Sequence, residues 1–406
     1  MMTENLKIQP ILIGADINCY SVARAFHEEY GVISKAYGRY AIGATNHSKI
    51  IDFTIDPDIN NPDTFIDKLL NIAKEYENTD IKLPLFGCTD QYVRLIIENK
   101  DALKDKFYIP YTRPELLNQL IVKESFYELC EKVGLDYPKT SIYTKDREDL
   151  DFGFDFPVVV KPSDSVSYWN HEFDGMKKVY FVNTAEEFKT IIKDIYASGY
   201  SESLIIQEII PGDDEYMRVL TCYSTQEGEV KMMCLGHVLL EEHAPTAIGN
   251  HAAIITEYDE ELEMKIKKFL ESINYKGFSN FDIKYDTRDG KFKVFEINLR
   301  QGRSNYYVTG AGFNIAKYVV EDLIMNKELD FKVCKHQHFW HVMPKSIVYK
   351  YVKNKELVAT AKRLAKEGNE SSSLFYKKDY RKSPKRWIYL KLYNINQHKK
   401  FKMYCK

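Results

Sequence analysis

Two periodicities alternate along the first hundred residues of this chain. Short apolar runs at Pro10–Asp16, Ile33–Tyr37, Ile50–Ile55 and Leu83–Cys88 predict strands. Between them, Ile17–Tyr30, Pro62–Tyr76 and the stretch after Thr89-Asp90-Gln91 carry apolar residues at helical spacing, with Gly31 as a stop for the first helix. Strands alternating with helices predict a doubly wound parallel sheet, an α/β domain over residues 1–112. Gly14 stands alone at the end of the first strand, so no dinucleotide fingerprint supports a cofactor there. Loops at the carboxyl ends of such strands are still the usual place for a ligand, and Thr89 and Asp90 sit on one.

Near Thr112-Arg113-Pro114 the pattern changes. A helix is predicted from Lys123 to Val133, ended by Gly134, and Tyr137-Pro138-Lys139-Thr140 leads into a new strand. Phe156–Val160 is an apolar strand leaving through Lys161-Pro162 into a polar loop. Val179–Val182 and Leu204–Ile210 are further strands, with a helix at Ala185–Tyr196 between them. Arg218–Cys222, Val230–His237 and Ala252–Thr256 read as an antiparallel sheet, followed by a helix at Tyr258–Ile273. This makes the central part, residues 113–330, α+β in character, with a smaller section at about 140–205 and an antiparallel lobe after it. A helix from about Asn314 to Met325 is the last ordered element expected, leaving 331–406 as an extension.

Asn280–Arg303 carries the clearest chemistry. Phe281, Ile283 and Tyr285 alternate with Asp282, Lys284 and Asp286, and Phe295, Ile297 and Leu299 alternate with Glu296, Asn298 and Arg300. Arg288-Asp289-Gly290 between them suits a three-residue hairpin loop with Gly in the left-handed position. In that register Asp282 lies opposite Glu296, with Asn298 on the same face. Like charges facing across a ladder are destabilising, so the pair calls for a cation. Two carboxylates and an amide oxygen are hard ligands, and Mg²⁺ suits them when substrate phosphates complete the shell. The plainer alternative is an ordinary solvated hairpin face.

Composition narrows the class. Net charge is −2 and 44 % of residues are hydrophobic, ordinary for a globular protein. The seven cysteines are scattered without CxxC spacing, which argues against a disulfide framework or zinc site and fits a reducing, cytoplasmic setting. The N-terminus lacks a signal-peptide core, and no apolar run reaches spanning length. From Tyr376 onward eleven basic residues face Asp379 alone, interrupted by Trp387, Tyr389, Leu390, Leu392 and Tyr393. Such a tail suits an anionic membrane surface or a polyphosphate-bearing substrate, or is a solvated extension.

Lys161 at a strand exit, Lys123 opening a helix, and Gln207-Glu208-Ile209-Ile210 ahead of Glu215 are each unspecific alone. Their order is specific. Lys123, PKT at 138–140, VVVKP ending at Pro162, QEIIPG at 207–212, Glu215, Asp282 and EINLR at 296–300 resemble the succession of the ATP-grasp superfamily over about residues 113–325. The N-terminal domain and the KPSDSVSY and GRSNYY segments are most similar to its D-aspartate ligase branch. The resemblance implies ATP and Mg²⁺ as cofactors. It implies Lys123 and Lys161 on the nucleotide phosphates, Gln207 and Glu208–Ile210 along the adenine linker, and Glu215 on the ribose. It implies Asp282, Glu296 and Asn298 on Mg²⁺, and Arg300 at the transferring phosphoryl group with Arg303 as a helper.

The sequence departs from the family at three places. Ser163-Asp164-Ser165-Val166-Ser167 replaces a common glycine pair, Leu299 replaces a common proline, and Asn280 stands where some relatives have arginine. The expected reaction activates a carboxylate as an acyl phosphate and joins it to an amine, with D-aspartate and a peptidoglycan peptide precursor as the expected pair. Another amide-forming ligase and a non-catalytic nucleotide-binding protein are the rivals. The histidines at 171, 237, 243 and 251 are expected around the site without a catalytic role, and no nucleic-acid partner is expected.

Overall fold

The computed structural model describes residues 6–177, 179–244 and 247–405, and of Ser165 and Val166 only the backbone. The starting stretch Met1–Asn5 and the terminal Lys406 lie outside the described residues. Two compact units divide the chain. One gathers Met1–Ile121, Asp213–Ile283 and Glu296–Lys406, and the other Val122–Gly212 and Lys284–Phe295.

In the larger unit, β1 (Ile11–Ile13), β2 (Ser34–Gly38), β3 (Ile51–Ile55) and β4 (Leu85–Gly87) form an all-parallel sheet in the order β3-β2-β1-β4. Every residue of β1 and β4 is buried, which is why both read as unbroken apolar runs. The helix Ile17–Tyr30 keeps its predicted limits. The Asp16 carboxylate accepts from Cys19 N at 3.1 Å to cap its start, and Gly31, at φ 70°, ends it.

The smaller unit holds a four-stranded antiparallel sheet of β5 (Thr140–Tyr143), β6 (Val158–Pro162), β7 (Tyr180–Val182) and β8 (Leu204–Glu208) in the order β5-β8-β6-β7. Tyr143, Val158, Val160, Val182, Leu204 and Ile206 point to one side and bury Phe188 and Ile195 of the helix Ala185–Ala197. The helix Lys123–Val133 keeps its predicted limits, with Gly134 at φ 74° after it. Three readings change here. Lys161 and Pro162 lie inside β6 rather than after it, and β8 stops at Glu208, leaving Ile209 and Ile210 beyond the strand. The polar loop after Pro162 contains a helical turn, Ser165–Trp169, started by Asp164 Oδ1 accepting from Ser167 N at 3.1 Å.

The remaining strands are β9 (Met217–Ser224), β10 (Val230–Glu241), β11 (His251–Glu257), β12 (Gly277–Asp286), β13 (Lys291–Asn298), β14 (Lys332–Val333), β15 (Phe339–His341) and β16 (Glu370–Ser372). They form one sheet in the order β13-β12-β9-β10-β11-β15-β16, with β14 on β10. The hairpin turn spans residues 287–290, and Gly290 takes the expected left-handed conformation at φ 72°.

Ordered structure does not end near Met325. The described residues beyond it add β14, β15 and β16 to the sheet and four helices, Lys345–Tyr351, Lys355–Glu367, Lys377–Tyr380 and Pro384–Tyr404. Trp340, Leu374, Leu390 and Phe401 enter the same core as Leu12 of β1 and Phe26 of the helix Ile17–Tyr30. The basic run disguised this, because its burial rests on a few widely spaced apolar residues.

Candidate active site

The period-2 alternation of β12 and β13 sends Phe281, Ile283 and Ile297 into the core and leaves Asp282, Glu296 and Asn298 partly buried. Asn298 Nδ2 donates to Asp282 Oδ2 at 3.2 Å and to Asn280 O at 3.4 Å. Burial first, and then the neighbouring Glu296 carboxylate, hold the Asp282 carboxyl well above the usual carboxylate range. Arg300 and Asn298 pull it the other way. Two carboxylates pressed together beside the Asn298 amide, which could turn its oxygen toward a metal, fit a hard divalent cation, whose charge would relieve both burial and repulsion. Among the described residues no cluster of three or more His, Cys, Asp or Glu side chains suited to a metal is present. The hairpin set is therefore one that needs further oxygens, as from phosphates.

Beyond β13 the chain turns sharply and delivers two arginines. Gly302 sits at φ 76°, and a methyl group there would come 2.8 Å from the Asn280 side chain. Asn280 itself is buried and donates to Thr221 Oγ1 at 2.9 Å, filling the space between Gly302 and Thr221. Gln301 Nε2 donates to Asn18 Oδ1 at 3.0 Å and Gly87 O at 3.2 Å, and Asn305 Nδ2 donates to Asn18 Oδ1 at 2.8 Å. This buried amide network fastens the turn to the carboxyl ends of β1 and β4.

Arg300 consequently meets Asp90 in a two-pronged pair, Nε to Oδ1 at 2.6 Å and Nη2 to Oδ2 at 3.0 Å. Arg303 Nη2 donates to Glu242 Oε1 at 3.1 Å. Both arginines bear on the Asp16 carboxyl, although burial outweighs them and leaves it raised. Asp90 was legible as a loop residue in a ligand-prone place. Asp16, Glu242, Asn18 and Gln301 were not singled out, because nothing local marks them and their partners lie far along the chain.

Glu215 is on a short 3₁₀ turn, Asp214–Tyr216, where its Oε1 accepts from Asn354 N at 2.7 Å. His237 Nε2 bonds Glu215 O at 2.7 Å, and His243 Nε2 bonds Asp214 at 2.8 Å. His251 is buried, and desolvation lowers it to about 4, so it stays neutral at pH 7.

The smaller unit carries the other expected residues. In the ladder Val159 pairs Gln207, Lys161 pairs Ile205 and Thr140 pairs Gln207, so Lys161, Gln207 and Thr140 share the sheet face opposite the Phe188 core. Gln207 Nε2 donates to Tyr127 OH at 2.9 Å and Thr140 Oγ1 at 3.0 Å. Tyr127 OH and Lys123 Nζ both donate to Phe295 O, each at 2.9 Å. Lys123, Tyr127, Gln207 and Phe295 thus form one polar group. Glu208 is engaged through its side chain with Lys139 N and Arg288 Nη2, each at 2.8 Å, and its N–H donates to Lys139 O. Ile209 and Ile210 lie past the strand end. His171, also in this unit, bonds Ser167 O through Nδ1 at 2.8 Å. Lys123, Lys161 and Gln207–Ile210 therefore belong to one unit, and Glu215, Asp282, Glu296, Asn298, Arg300 and Arg303 to the other.

This fold is shared with known ligases and carboxylases. The L-amino acid ligase of Bacillus licheniformis matches with a TM-score of 0.58 at 14 % identity, over 84 % of this chain and 81 % of that one. N5-carboxyaminoimidazole ribonucleotide synthetase, solved with ADP, matches with a TM-score of 0.59 at 14 % identity, over 90 % and 88 %. No protein-family model matches. Fold and sequence define an ATP-grasp carboxylate–amine ligase, an enzyme that forms carbon–nitrogen bonds. The D-aspartate ligase of Enterococcus faecium (strain Aus0004) is 42 % identical over 412 aligned residues, covering 99 % of this chain and 97 % of the relative. The chain belongs to the D-aspartate ligase family.

Proposed function

We propose that the protein phosphorylates a carboxylate of D-aspartate with ATP and joins the activated acid to an amino group of a peptidoglycan peptide precursor. The observation that carries this reading is the 42 % identity to a D-aspartate ligase across nearly the whole chain. A carboxylate does not react with amines, and phosphorylation supplies the leaving group. Catalysis then rests on positioning and on charge neutralisation.

Lys123 and Lys161 would hold the nucleotide phosphates, Gln207 and the Glu208–Ile210 backbone the adenine, and Glu215 the ribose. Asp282, Glu296 and Asn298 would hold Mg²⁺, which neutralises charge on the transferring phosphoryl group. Arg300 would face the phosphoryl group, kept extended by Asp90, and Arg303 would stand beside it, kept in place by Glu242. No nucleophilic side chain is needed, because the acceptor amine attacks the acyl carbon and phosphate departs with the electron pair. Among the described residues all seven cysteines are free and six are buried.

The experiment is phosphate release from ATP across a panel of D- and L-amino acids, with and without a muramyl peptide precursor. D-aspartate and precursor together should give the fastest release. Equal release with an L-amino acid would overturn the substrate assignment. No release with any pair would leave a nucleotide-binding protein in place of a ligase.

A further inference from the structure

The helix Pro384–Tyr404 presents two different faces. Arg386, Leu390, Gln397 and Phe401, spaced by four, seven and four residues, lie on one side and are 0–3 % exposed. The opposite side carries Ile388, Leu392 and Ile395, which stay 52 %, 60 % and 54 % exposed, with Trp387 at 49 % along its edge. Helices of globular proteins ordinarily put charged residues on that outer side. Here the outer apolar stripe is bordered by Lys385, Lys391, Lys399 and Lys402, and the 21 residues contain no Asp or Glu. Lys391 Nζ lies 5.3 Å over the Trp387 ring. Among the described residues none of these four lysines makes an ion pair.

We propose that this outer face docks on an anionic lipid bilayer, with Ile388, Leu392 and Ile395 among the acyl chains and the lysines at the headgroups. The helix lies in the interface and does not span, since no helix among the described residues is long and apolar enough to cross a membrane. Charge complementarity selects this occupant. A second copy of the same face would set lysine against lysine, and a nucleic-acid backbone offers nothing to an isoleucine–leucine stripe. The inference is independent of the ligase reading, because it uses no residue of the proposed active site.

The test is sedimentation of the full chain with vesicles of phosphatidylglycerol and phosphatidylcholine, against vesicles of phosphatidylcholine alone. Two variants accompany it, Ile388→Ser/Leu392→Ser/Ile395→Ser and Lys391→Gln/Lys399→Gln/Lys402→Gln. All six side chains are exposed, so the fold and ATP turnover with soluble substrates should be unchanged. Binding should require the anionic lipid, and each variant should weaken it about tenfold. High salt should release the wild type. Equal binding to both vesicle types, or wild-type affinity in both variants, would overturn the proposal. So would a dimer that the serine variant converts to monomer, since the face would then belong to a second copy.

Discussion

Two clusters of buried charge in the larger unit are built in opposite ways. At Asp379, a carboxylate with no exposed surface accepts from Tyr20 OH at 2.7 Å, Ser48 Oγ at 3.2 Å and Lys49 N at 2.6 Å. Arg386 Nε lies 3.3 Å from it, and Arg386 Nη1 donates to Gly43 O and Asn46 O. On the hairpin, Asp282 is pressed against Glu296, a second carboxylate. The first cluster carries its own counter-charge and ties the C-terminal helices to the helix Ile17–Tyr30 and to the segment between β2 and β3. The second sets two carboxylates together, with Arg300 and Asn298 easing only part of the cost, where a metal would add positive charge. Paired burial marks a fastening, and like-charged burial is what the proposed cation site rests on.

The largest expected effect falls on the fastening. Asp379→Asn leaves Arg386 buried without its partner and should cost about 3–5 kcal/mol of stability, the usual result of breaking a buried ion pair. Denaturant unfolding measures it, and a loss under about 1 kcal/mol would mean that the cluster is solvated. Truncation before Tyr376 should go further and give insoluble protein, because it removes Leu390 and Phe401 from the core.

Asp90→Asn should lower kcat about tenfold with unchanged Tm. Asp90 is exposed, so its ion pair adds little stability, while Arg300 would lose the group that holds it extended. Unchanged kcat would show that substrate alone places Arg300.

In metal-free buffer Asp282→Asn should raise stability by about 1 kcal/mol, since it removes a like charge from a crowded pair. A drop in Tm there would make the hairpin face a structural feature.

A third acid calibrates both clusters. Glu263 is fully buried, and desolvation raises it to about 8. Its folded form keeps a proton that the unfolded chain releases near pH 4.5, so its contribution to stability falls as pH rises from about 4.5 to 8. Glu263→Gln should flatten that slope and raise Tm by about 2 °C at pH 8, read by calorimetry at pH 6 and 8. An unchanged slope would place the titration elsewhere.

Much of this was legible in the chain. The helices Ile17–Tyr30 and Lys123–Val133 and the alternation on the hairpin are local patterns with strong end signals, and each formed where expected. What escaped was non-local. Nothing near Arg386 says that it is buried against Asp379 and stacked over Tyr20 at 4.5 Å. Nothing near Gln301 says that it reaches Asn18. A basic sequence reads as solvated, yet one arginine in it is among the most deeply buried side chains of the protein.

We propose that the crowded hairpin carboxylates are kept for the cation that ligation needs. The direct test is ADP formation with D-aspartate and a muramyl peptide precursor, titrated with Mg²⁺ in wild type and Glu296→Gln. The wild type should saturate, while the variant, still folded by Tm, should be slower by about a hundredfold at the same Mg²⁺. Equal turnover with an equal Mg²⁺ midpoint in the two proteins would contradict the account.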